Sequence, residues 1–122
     1  MQVFRVENSA CLGPYNDHYH DTGPYTSSIH KAKEDAQLAK QTYDKSEPPP
    51  WEDGIQRHTP LHRFGFASLD QLLAWFPSEV LDLLERKYGH RIVVYEVAQH
   101  NVIFGRSQVS FLWHEATKVM TL

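Results

Sequence analysis

The apolar positions of this chain change period several times, and each change marks an element. Gln2–Glu7, Q-V-F-R-V-E, has strand length and composition. A period of two puts Val3 and Arg5 on one side and Phe4 and Val6, the expected core pair, on the other. Residues 8–27 are rich in turn residues, with Gly-Pro-Tyr at 13–15 and again at 23–25. From Ser27 or Ser28 a helical period runs to Tyr43, with a thin apolar stripe of Ile29, Ala32, Ala36 and Ala39 or Tyr43. The opposite face is charged, which predicts a surface helix. Residues 44–62 contain P-P-P-W-E-D-G-I and T-P-L-H, and the prolines exclude a regular helix, leaving a long loop.

Residues 63–67, R-F-G-F-A, read as a short strand. Ser68 then opens a helix through an S-x-x-Q capping signal, with Leu69, Leu72, Leu73 and Trp75 or Phe76 turned inward. Pro77 separates it from a second helix that Ser78 caps and Gly89 closes, with Val80, Leu81, Leu84 and Tyr88 on its apolar side. Residues 91–97, R-I-V-V-Y-E-V, are the best strand in the chain. Gln99, His100 and Asn101 make a turn. Segments 102–104 and 109–113 form either one bulged strand or two short ones, and 118–122 supplies an edge strand. This order predicts a single α+β domain over residues 1–122, with a small, mostly antiparallel mixed sheet and two to three helices.

Composition narrows the function. A chain of 122 residues with 41% hydrophobic and 22% charged residues is globular and long enough for one modest core. A net charge of −3 argues against general nucleic-acid binding. No run approaches the ~18 apolar residues of a membrane span. The opening MQVFRVEN has no signal-peptide layout, and the single Cys11 excludes an internal disulfide, so a reducing cytoplasm is expected.

Eight histidines and fifteen aromatic residues direct attention to ligand chemistry. In D-H-Y-H-D, His18 and His20 would share one side of an extended segment, but a third metal ligand from His30, His58 or His62 falls at no metal-site spacing, and no metal is expected. His58 and His62 precede a strand and a helix start, where they would either meet a ligand or lie in a solvated loop. Arg5 would either clamp a phosphate or carboxylate or pair with Glu96 across neighbouring strands. Ser68 is explained as an N-cap, and the free N–H groups behind it could hold an anion. Trp51, Glu52 and Asp53 offer an aromatic and acidic surface for a protein partner. Gly105-Arg106-Ser107-Gln108 is a polar knot between two apolar runs, read as a bulge or hairpin turn with Gln108 at the mouth of the returning strand.

Four stretches carry a resemblance: V-F-R-V-E-N with G-P-Y after it, P-P-W-E-D-G-I, F-G-F-A-S-L-D-Q-L-L-A-W-F, and I-V-V-Y-E-V followed by Q-V-S-F. Together they resemble a group of small bacteriophage and prophage proteins, over most of the chain outside the helix of residues 31–45. The resemblance implies an accessory protein acting on a host protein in the bacterial cytoplasm. A looser resemblance, to the ADP-ribosyltransferase fold, implies an NAD site. Arg5 would match the arginine of its first strand, Ser68 the hydroxyl at the strand-to-helix junction, and Gln108 the late-strand glutamate. Gln108 in place of Glu keeps a hydrogen bond and loses a charge, a change that typically costs about 10²–10³ in rate. The resemblance therefore leaves three alternatives open: NAD or nucleotide binding without turnover, catalysis through another acid such as Glu96 or Glu115, or a scaffold that inhibits a host defence or regulatory complex by binding it.

Overall fold

Antiparallel pairing between the two ends of the chain organises the molecule. A computed structural model describes residues 1–15, 27–36, 53–55 and 58–122. The elements run β1 (Gln2–Glu7), α1 (Ser28–Asp35), β2 (His62–Gly65), α2 (Leu69–Trp75), α3 (Ser78–Arg86), β3 (Arg91–Glu96), β4 (Val102–Phe104), β5 (Val109–Leu112) and β6 (Thr117–Thr121). Short 3-10 turns at Gln99–Asn101 and Trp113–Glu115 join the late strands.

The class is α+β, but the expected mixed sheet is divided in two. One sheet has the order β1-β3-β6 and the other β2-β5-β4, and every pair is antiparallel. A single bridge, Phe4 to Phe66, stitches them together, with each residue's N–H donating to the other's carbonyl. Segments 102–104 and 109–112 are two separate strands of a hairpin, which settles the alternative left open by the sequence.

Alternation on β1 and β3 explains the layering. Val6 and Ile92 join a cluster with Ile29 and Ala32 of α1, Leu72 and Trp75 of α2, and Val80, Leu81 and Leu84 of α3. Val3, Val93 and Tyr95 point the other way, into a second cluster with Val102, Val109 and Phe111 of the second sheet. The first sheet is therefore a middle layer, covered by helices on one face and by the second sheet on the other. This is why the Val3 side of β1, assigned to the face opposite the core pair, is buried, while Phe4 is only partly so. Gly65 permits the contact between layers, since a Cβ there would lie 2.5 Å from Val3 Cγ1 and 3.0 Å from the Phe4 carbonyl oxygen.

Local signals place most of the helices. Ser68 caps α2, its hydroxyl accepting from Gln71 N at 3.1 Å. Leu73 is half exposed rather than turned inward, because Leu72, Trp75 and Phe76 fill the buried side. Pro77, not Ser78, is the N-cap of α3, and Ser78 is its first helical residue. Gly89 takes φ +69° just beyond the end of α3, where a side chain would be strained. The described part of α1 ends at Asp35, with Ala36 as its C-cap; the rest of the helix expected to Tyr43 lies outside the described residues.

Candidate functional site

The odd-numbered face of β1 brings charge into the space between the sheets. Arg5 and Glu7 are 6% and 1% exposed. Arg5 Nη1 donates to the Phe64 carbonyl oxygen at 2.7 Å, and Arg5 Nε lies 3.3 Å from Glu7 Oε1. Gly13 packs on this guanidinium, and a Cβ there would sit 3.2 Å from Nη2. Glu7 also accepts from the Tyr95 hydroxyl at 2.6 Å and from Lys118 Nζ at 3.2 Å. Burial lowers the pKa of Arg5 and the neighbouring Glu7 charge opposes that shift. Burial, then the hydrogen bond to Glu7, pushes the Tyr95 phenol well above its ordinary range. Arg5 thus pairs with Glu7 on its own strand, not with Glu96. Glu96 instead holds the Met1 ammonium at 2.9 Å and is more than half exposed.

This cluster opens onto a cleft of about 300 Å³ lined by Cys11, Tyr95, Trp113, His114, Ala116 and Lys118. The Trp113–Glu115 turn, where the chain passes from the second sheet back to the first, forms one wall. Tyr95 meets Trp113 edge to face with centroids 5.2 Å apart. Lys118 Nζ lies 5.8 Å from the Tyr95 ring and 3.9 Å from Cys11 Sγ, and Arg63 sits 5.7 Å from the Trp113 ring. The sequence reading missed Glu7, Tyr95 and Lys118 as a group. The R-V-E spacing at residues 5–7 was the available signal, because it puts both charges on one strand face.

The polar knot at residues 105–108 closes around Asp53. Ser107 N donates to Asp53 Oδ1 and Oδ2 at 2.9 and 3.0 Å, Ser107 Oγ donates to Oδ1 at 2.8 Å, and Gln108 N donates to Oδ2 at 3.1 Å. Arg106 N reaches the Asp53 carbonyl oxygen at 2.9 Å, and Gly105 N closes the turn on the Gln108 carbonyl oxygen. Asp53 is 1% exposed, so the expectation of an exposed acidic contact fails for it: its carboxylate is spent on the turn. Gln108 is buried beside it.

His58 and His62 do come together, with ring centroids 5.7 Å apart. His58 stacks on Phe64 at 4.2 Å and its Nδ1 lies 2.8 Å from Ser110 Oγ. His62 Nδ1 accepts from the Thr59 N–H at 3.2 Å. Partial burial, then the nearness of His62 and Arg63, lowers the pKa of His58. Ser68 serves α2 as its cap. Trp51, Glu52, His18 and His20 lie outside the described residues. Among the described residues no group of three or more His, Cys, Asp or Glu is placed to hold a metal ion, and no helix is long and apolar enough to cross a membrane.

Compared with known protein families, residues 1–122 match the model described as Bacteriophage T4 Y00F protein. No curated protein and no solved structure matches the chain.

Proposed function

We propose, for a chain that belongs to the bacteriophage T4 Y00F protein family, an accessory function carried out by binding a bacterial host protein rather than by catalysis. One observation carries this reading: each of the three residues that transferase chemistry would require has structural work. Arg5 holds the Phe64 carbonyl oxygen and Glu7. Ser68 caps α2. Gln108 is buried and its backbone is clasped by Asp53. An arginine that is 6% exposed and held by two internal partners is not open to the phosphates of NAD.

The surface we assign to the partner is the outer edge of the first sheet. Every residue of β6 is exposed, and Val119, Met120 and Leu122 are each about half exposed in succession. Such a run at a strand edge suits an extended segment of another protein added to the sheet. The test is affinity capture from host lysate with wild type and Met120→Asp, quantified by mass spectrometry, alongside an assay for nicotinamide release from NAD. A host protein held in stoichiometric amount by wild type and lost from the variant is the expected result. Nicotinamide release without such a protein would overturn it.

The transferase reading retains one supporting observation. The Phe64 carbonyl oxygen that Arg5 grips belongs to β2, and Phe64 pairs with Ser110, two residues beyond Gln108. Strands β1, β2 and β5 thus bring the Arg5 and Gln108 segments to neighbouring positions, and the nicotinamide assay decides between the two readings.

A further inference from the structure

We propose that the cleft lined by Tyr95, Trp113, His114 and Lys118 binds a small ligand that joins one planar ring to one phosphate, the chemistry of a nucleoside monophosphate. The charge of the cleft points to an anion. Among the residues that line it Lys118 is a full cation and none carries a carboxylate, while Glu7, which Lys118 and Arg5 share, lies behind the lining. Arg5 and Glu7 are sealed, but the Lys118 side chain is 43% exposed and its ammonium stands where the buried cluster meets the cleft. An ammonium has three N–H donors, and the contact to Glu7 Oε2 satisfies one of them with an oxygen acceptor. His114, an exposed residue on the same wall, adds a second nitrogen donor.

The aromatic lining points to the ring. Trp113 and Tyr95 stand edge to face in the wall, and Lys118 Nζ lies 5.8 Å from the Tyr95 ring, so aromatic surface and the cation line the same cleft. Volume limits the size. About 300 Å³ lies at the bottom of the ~300–1,000 Å³ range of ligand pockets. That accommodates one ring with its phosphate better than a dinucleotide such as NAD. Lys118 belongs to β6, so the cleft adjoins the edge assigned to a host protein, but neither proposal requires the other.

The probe is AMP, titrated calorimetrically into the full chain, with adenosine, inorganic phosphate and NAD as separate arms. Wild type is expected to bind AMP saturably and to bind adenosine and phosphate at least about tenfold more weakly, since each lacks one half of the recognition. Lys118→Gln should weaken AMP about tenfold or more. Because Lys118 also touches Glu7, His114→Ala serves as a second variant: its side chain is exposed, the fold should be untouched, and AMP affinity should fall several-fold. No saturable AMP binding at millimolar concentration would overturn the proposal. So would AMP affinity unchanged in both variants, or phosphate alone binding as tightly as AMP.

Discussion

The imidazole of His58 stacks face to face on Phe64 and holds the buried Ser110 through Nδ1. Its lowered pKa has a definite sign for stability. The folded chain binds this proton less readily than the unfolded one. The stability tied to the neutral ring is therefore present above the ordinary value of 6.5 and is lost as pH falls through the depressed pKa. An NMR titration should place the His58 midpoint below 6.5, chiefly through burial, and His62→Gln should move it part of the way upward; an unmoved midpoint in that variant would refute the contribution of His62. At this scale the sequence was partly legible. H-T-P-L-H put two imidazoles at one strand entrance, and they do meet there. It did not reveal that Arg5 would find Glu7 rather than Glu96. Both acids were in reach of the same arginine on pattern alone, and the Met1 ammonium takes Glu96 out of contention.

At the scale of elements, the β4–β5 hairpin owes its shape to a side chain from a distant loop. Asp53 satisfies the N–H groups of Ser107 and Gln108, which a turn of this kind would otherwise leave unpaired. Asp53→Ala strands those donors in a buried place and should cost about 2–4 kcal/mol in chemical denaturation. Gly105→Ala should cost a similar amount by the opposite route. A Cβ there would stand 2.2 Å from Asp53 Oδ2, 2.8 Å from Ile55 Cγ1 and 2.9 Å from the Gln108 carbonyl oxygen. If the two act through the same clasp, the double variant should lose clearly less than the sum of the single losses. Helices α2 and α3 were readable because their signals are local: the Ser68 cap, the Leu72 and Leu84 spacing, and the glycine after the end. That Gly105 to Gln108 form a turn was readable too. That Asp53 holds it was not, because no periodicity links a loop aspartate to a hairpin so far along the chain.

Across the whole molecule, β3 is the strand on which both sheet neighbours and both layers converge. Ile92, Val93, Val94 and Tyr95 are all buried, with β1 on one side and β6 on the other. Their amides should be the last to exchange with deuterium, at rates set by global unfolding, while the all-exposed β6 should show earlier exchange at its outer edge. Comparable exchange in β3 and the outer β6 amides would contradict the layered account. The α+β class followed from the order of elements, but the division into two sheets did not. Alternation identifies which residues share a face, and it cannot say which strand lies beside which. The pairing itself has a consequence for the ribosome. Gln2 must find Glu96 and Glu7 must find Arg91, so β1 waits for a strand far along the chain. At ~5–20 residues/s, β1 emerges roughly 5–20 s before its partner is synthesised. During that interval Val3, Phe4 and Val6 have no sheet to join, and the nascent chain is a substrate for holding chaperones until residues 91–96 have been synthesised.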